Sequence, residues 1–195
     1  THTHTHTTHT THTHIHTASI VGRSGPRARM ERVPGWIWGW FLVGGALVVW
    51  DSMFVLNRPA SMPGGDLHMF FPGYDEYIQI DWRYGDVSDG MGIAQCFMNS
   101  VEVALTIYAY FIRDQDRVAA WLAIFISAAF TFWKTVLYLG SEAVFGFDKM
   151  NDVPLWKFLF LYLLPSSFWI GFPAGICYKA LHLMYHTLHV KENTD

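Results

Sequence analysis

Apolar residues are concentrated in four stretches of this chain, and charged residues gather in the segments between them. The stretches cover about 35–56, 93–112, 118–139 and 155–178, each near the ~20 residues that carry a helix across a bilayer core. The first, WIWGWFLVGGALVVWDSMFVL, opens on Trp36, Trp38 and Trp40, a cluster suited to a membrane interface, and stops at Asn57, Arg58 and Pro59. A long polar connection follows to about residue 92, with Pro63-Gly64-Gly65 and Pro72-Gly73 as turn signals. Its second half, YDEYIQIDWRYGDVSDG, is acidic and aromatic and long enough for a short interfacial helix. The connection RDQDRV makes the second and third stretches an antiparallel hairpin. The pattern predicts an all-α integral membrane protein, a four-helix bundle with an intramembrane ligand cavity.

Composition agrees with one membrane domain: 51% of the 195 residues are hydrophobic and only 15% charged. A net charge of −3, with no basic run beyond the N-terminal arginines, removes the electrostatic case for nucleic acid. Cys96 and Cys177 both lie in apolar stretches, so no disulfide framework is indicated. Residues 1–17 alternate Thr and His and hold seven of the eleven histidines. A translated CA dinucleotide repeat ahead of Met30 accounts for them; the alternative, a His-rich metal-binding arm, has ligands without fixed geometry. Residues 1–29 are therefore set apart as a disordered leader, 30–190 form the membrane domain, and 191–195 a short tail. No cofactor and no metal centre is expected.

Lys and Arg set the orientation. Arg23, Arg27, Arg29 and Arg32 precede the first span, Arg113 and Arg117 join the second to the third, and Lys179 and Lys191 follow the fourth. Arg58, Arg83 and Lys149 face the other side among many acids, so both termini are expected in the cytoplasm.

Polar residues inside the spans are costly, about 2.5–3.5 kcal/mol for a charged group on insertion scales, and usually face a bundle interior. Gln95, Asn99, Glu102 and Thr106 occupy one face of the second span. Thr131, Thr135, Tyr138 and Glu142 line the third, with Lys134 beside them, and Tyr162, Ser166, Trp169 and Pro173 the fourth. Asp51 lies near the non-cytoplasmic end of the first. A cavity lined by all four helices satisfies these groups together. Ser and Thr also have the option of bonding their own backbone; Lys134 is expected to pair with Asp51 or Glu102 or to reach the interface; Glu142 is expected at the membrane surface.

These residues resemble the emopamil-binding proteins and sterol Δ8–Δ7 isomerases, the group carrying the EXPERA domain, with the sigma-2 receptor as a relative. DEYIQIDWRY (75–84) is similar to that family's EY…D-x-R-Y stretch, VLYLGSE (136–142) to its VLYFLTE, and FWIGFP (168–173) to its LWLVIP. The order and spacing match across roughly residues 40–178. The resemblance implies an endoplasmic reticulum membrane protein with a sterol-sized cavity. It also implies double-bond migration through a carbocation, with Asp51 and Glu102 transferring protons and the Trp169 indole facing the cation. The chain departs from the isomerase pattern at Leu47 and Asp51, where that pattern has His and Glu. Gln95 replaces a glutamate, Ser166 an asparagine, and Thr135 an aspartate beside a Lys134 that isomerases lack; Asp51 instead resembles the sigma-2 receptor.

The expected function is thus sterol binding, with Δ8–Δ7 isomerase activity or, alternatively, non-catalytic lipid binding or trafficking. Gln95, Asn99, Lys134, Tyr138, Tyr162, Ser166 and Trp169 are the expected ligand-binding residues. The expected partners are a sterol or related lipid, amine-containing hydrophobic ligands and the membrane, with a homodimer as the candidate assembly. A proton or ion pathway through Gln95, Asn99, Glu102 and Lys134 is a remaining class that four short unbroken spans disfavour.

Overall fold

The computed structural model describes residues 30–150 and 152–192, and those residues form helices and turns without a strand. The expected leader lies outside them, as do residues 193–195 of the expected tail. Four long helices dominate: α1 (Gly35–Leu56), α4 (Gly90–Ile112), α5 (Arg117–Val144) and α7 (Leu164–Glu192). Short α2 (Tyr74–Ile80) and α3 (Trp82–Gly85) lie in the connection between α1 and α4, and α6 (Leu155–Lys157) leads through a π-helical stretch (Phe158–Leu163) into α7.

Among the described residues three helical segments are long and apolar enough to cross a membrane: Gly35–Leu56, Arg117–Val144 and Leu155–Thr187. Leu42, Val43, Trp133 and Leu137 stand exposed on them, a surface that water penalises and lipid does not. α4 matches α1 in length but not in apolarity, because Gln95, Asn99 and Glu102 interrupt it.

Local signals fix the helix ends. Asp89 accepts from the Gly92 amide at 2.7 Å and starts α4 three residues before the expected 93; Asp116 does the same for α5 through Ala119 at 3.0 Å. α5 runs past the expected 139 to a left-handed turn at Gly146 (φ +67°) and Phe147 (φ +56°). α7 continues beyond the expected 178, since no glycine or proline interrupts its last turns.

α4 packs on α5 and α1, and α5 on α7. The buried face of α5 recurs every three or four positions through Ala120, Ile124, Ser127, Thr131 and Lys134, and its small members let the neighbouring helices come close. Trp40 of α1 closes the circuit to α7, stacked on Phe172 (4.5 Å, 8°) and edge-on to Trp169 (4.9 Å). Trp40 is therefore partly buried between helices, whereas Trp36 is exposed.

Both ends of the described chain emerge on one side of the molecule. Trp121 Nε1 donates to the Glu31 carbonyl (2.9 Å), Arg117 to that of Met30 (3.1 Å), and Lys179 pairs with Glu31 (2.9 Å). At the opposite end the connection 57–89 folds into a cap. The Arg58 guanidinium donates to the carbonyls of Arg83, Tyr84 and Asp86, which ties α3 and its exit to the end of α1.

Candidate functional site

Polar residues of α1, α4 and α5 meet in a buried network. Lys134 Nζ donates to Glu102 Oε1 at 2.8 Å and also to Asn99 Oδ1, Thr131 donates to Glu102 Oε2 at 2.7 Å, and Asn99 donates to Ser52 at 2.8 Å. Between the alternatives open for Lys134, the structure selects Glu102; the ammonium neither reaches an interface nor touches Asp51. Helix rotation decides this: Lys134 shares the inward face of α5 with Thr131, and Glu102 that of α4 with Asn99. Both carboxylate oxygens of Glu102 are satisfied by protein, and the ion pair is charge-neutral, the arrangement a low-dielectric interior tolerates.

Asp51 sits in a different setting. Its oxygens accept from Tyr74 and Tyr84, each at 2.8 Å, and no ammonium or guanidinium bonds it. Burial pushes the hydroxyls of both tyrosines well above the usual phenol range, and the facing Asp51 pushes the same way, so they act as donors at any physiological pH.

Two cavities lie against these groups. The larger, about 700 Å³, is bounded by α1, α4, α5 and α7, and its lining includes Glu102, Thr106, Ser127 and Thr131. The second, about 600 Å³, is bounded by Asp51, Trp50, Tyr74, Tyr77, Tyr84 and Phe168, among others. Trp40, Val48 and Trp169 line both and form the wall between them. The single chamber expected for Asp51, Glu102 and Trp169 is thus two adjoining ones: Glu102 faces the first, Asp51 the second, Trp169 both. The reason is the pair of tyrosines from the capping connection, which draw Asp51 toward α2 and α3. Both cavities fall in the range for small-molecule sites, roughly 300–1,000 Å³.

A third polar cluster lies under the cap. Arg83 pairs with Glu142 (2.7 Å) and Asp89 (2.9 Å), and Trp82 Nε1 donates to Glu142 (3.2 Å). Glu142 is consequently buried within the protein, because the guanidinium folds over it. Asp81, fully buried, accepts from Tyr138 (2.6 Å) and from the Arg83 amide. Burial pushes its carboxyl up to about 7, against the lowering effect of those hydrogen bonds.

The expected binding residues therefore separate. Lys134 and Asn99 belong to the Glu102 network and Trp169 to both large cavities. Gln95, Asn99 and Tyr138 border a small chamber of about 20 Å³. Tyr162 and Ser166 border none of the three. Tyr162 is buried against Phe158 and Ile80, and Ser166 donates to the Tyr162 carbonyl at 2.6 Å. Thr135 likewise bonds its own helix, at the Thr131 carbonyl. Leu47 lines the second cavity. Tyr74, Tyr84 and Ser52 were missed by sequence reasoning. Their signal was present in the acidic, aromatic run YDEYIQIDWRY and in the serine beside Asp51. Among the described residues no three His, Cys, Asp or Glu side chains are grouped to hold a metal ion.

Comparison with known proteins returned no matching family model, no matching curated protein and no matching solved structure.

Proposed function

We propose that this chain is a lipid-binding membrane protein of the emopamil-binding type, holding a sterol-sized apolar ligand and anchoring hydrophobic amines at Asp51. The observation that carries the reading is the pair of adjoining apolar cavities sharing Trp40 and Trp169, one of which presents a carboxyl with only hydroxyl partners. The larger cavity suits a rigid hydrocarbon skeleton, with Thr106, Ser127 and Thr131 near enough to its wall to meet a hydroxyl. In the second, a protonated amine would gain the Asp51 charge and the faces of Trp50, Tyr74 and Trp169, the last contacts worth about 0.5–2 kcal/mol each.

In this reading α4 is the fourth span, its polar face turned to the Glu102 network and away from lipid. Along the sequence, eight of the thirteen basic residues (Arg23, Arg27, Arg29, Arg32, Arg113, Arg117, Lys179 and Lys191) precede the first span, join the second to the third or follow the fourth. Four (Arg58, Arg83, Lys149 and Lys157) lie in or next to the other two connections, with Lys134 inside the third span. That bias supports cytoplasmic termini; an endoplasmic reticulum location follows from the family reading.

Isomerase activity is the second reading, favoured by one observation: Glu102 and Trp169 line the same cavity. Against it stand the Lys134 pair, which occupies the Glu102 oxygen an acid or base would use, and the position of Asp51 on the other cavity. The test expresses the full chain in cells lacking their sterol Δ8–Δ7 isomerase and follows both sterol accumulation and photo-crosslinking of a sterol probe. Crosslinking without conversion is expected. Conversion that disappears in Asp51→Asn or Glu102→Gln overturns the non-catalytic reading in favour of the isomerase, and absence of both sinks the sterol assignment.

A further inference from the structure

The chamber of about 20 Å³ between α1, α4, α5 and the cap is less apolar in its lining than the two large cavities. Asp51, Arg83, Gln95, Asn99, Tyr84 and Tyr138 border it. One of these groups has no place to put its hydrogen bonds: the Gln95 Nε2 is buried and unpartnered. A buried amide donor left alone is costly and rare, and the usual remedy is an internal water. A water needs room for about one probe sphere, roughly 10–15 Å³, and two to four polar partners. The chamber meets both conditions and has no space for a second molecule.

The other bordering groups decide how that water sits. Asn99 is committed on both sides, to Ser52 and Lys134. Tyr138 gives its proton to Asp81, and Tyr84 gives its own to Asp51. Arg83 is engaged with Glu142, Asp89 and Ser141. Each Asp51 oxygen accepts one tyrosine hydroxyl and keeps acceptor capacity. The free donor is Gln95; the Tyr84 and Tyr138 oxygens keep lone pairs, and Asp51 is the carboxyl acceptor with capacity left. A monovalent cation is disfavoured here, since the Arg83 guanidinium borders the same space and an amide N–H points no lone pair at a metal.

We propose that the chamber binds one ordered water, which accepts from Gln95 Nε2 and donates to Asp51, so that Gln95 is a positioning residue for the Asp51 carboxylate. Asp51 then has three donors, Tyr74 and Tyr84 on the cavity side and the water behind, and the third stops the carboxylate from turning away from the cavity. The role of this carboxylate as a cation anchor rests on the function proposed above; the water site does not.

The experiment therefore has two arms on the full chain. In the first, a structure at a resolution that orders solvent is determined for the wild type and for Gln95→Leu. A single solvent peak within hydrogen-bond distance of Gln95 and Asp51, absent in the variant, is expected. An empty chamber, or a Gln95 amide turned onto a protein acceptor, overturns the water site. The second arm measures binding of a hydrophobic amine and of a neutral sterol across pH. Gln95→Leu is expected to weaken the amine about tenfold and shift its pH profile while leaving the sterol unchanged, and Gln95→Asn to restore most of the loss. Equal loss of both ligands, or an unchanged amine profile, overturns the positioning role. If the wild type binds no amine while the solvent peak is present, the cation-anchor reading and with it the positioning role fall, and the water site stands.

Discussion

Glu102 and Asp51 are both carboxyls carried into the apolar part of the molecule, and their surroundings differ in kind. Glu102 meets a cation and a hydroxyl from the next helix, so its charge is cancelled where it arises. Asp51 meets only neutral hydroxyls from the cap. The first arrangement closes on itself and orients α4, α5 and, through Asn99 and Ser52, α1. The second leaves a carboxyl directed at an aromatic cavity of about 600 Å³. Under the proposed function one carboxyl has a structural task and the other a recognition task, and each has a distinct way to fail.

The largest failure is expected at the ion pair. Lys134→Ala strands Glu102 without a counter-charge, and a broken buried pair costs about 3–5 kcal/mol. Thermal unfolding in detergent or nanodiscs should show a large loss for Lys134→Ala and a much smaller one for Lys134→Met combined with Glu102→Leu, which removes both charges. If the single variant is as stable as the wild type, Glu102 is not a structural charge and the contrast with Asp51 is lost.

Asp81 shows what hydroxyl and amide partners alone do for a buried carboxyl outside the spans. Its pKa in the folded chain is about 7, above the value of 3.8 it has when free, so the folded state binds the proton more tightly. Stability contributed by that proton is full below the unfolded value and is lost as pH rises through about 7. The wild type is therefore expected to lose on the order of a few kcal/mol between mildly acidic and mildly alkaline pH. Asp81→Asn, which still accepts from Tyr138, should flatten the profile and exceed the wild type above pH 7. A wild-type curve that is flat over this window would mean that the Tyr138 and Arg83 contacts fully support the anion.

For Asp51 the expected effect is on binding. Asp51→Asn keeps an acceptor for one tyrosine and removes the charge, so a cationic amine should weaken by about tenfold or more while a neutral sterol is unaffected. Glu102→Gln should leave amine binding unchanged. Equilibrium competition with a labelled amine separates these outcomes, and equal loss in both variants would merge the two carboxyls into one site.

How far this division was legible beforehand can be traced residue by residue. Helical spacing alone put Gln95, Asn99, Glu102 and Thr106 on one face, and Asn99 and Glu102 are indeed buried together. Spacing left the partner of Lys134 open between Asp51 and Glu102, because depth along a helix carries no information about its rotation. In the fourth span, Tyr162 lies off the three cavities and packs on Phe158 and Ile80. The π-helical stretch Phe158–Leu163 adds about one residue to a turn, so Tyr162 is rotated off the face that carries Trp169. The cap was the least legible part, since its order depends on Arg58 reaching carbonyls 25 to 28 residues away.

The finest test concerns the wall between the two cavities. Gly44 of α1 faces the Trp169 ring so closely that an added Cβ would lie 3.0 Å from Cζ3 and 3.2 Å from Cη2. Gly44→Ala gains up to about 1 kcal/mol of helix propensity, and crowding the ring costs a comparable amount, about 1 kcal/mol at the low end of overpacking. The melting temperature should hardly move. The ring, however, must shift by a few tenths of an ångström, and it belongs to both cavities. A sterol and an amine, measured separately on this variant, should each change affinity by about threefold, which one shared side chain explains and two independent sites do not. If only one ligand responds, Trp169 bounds a single site and the cavities operate apart.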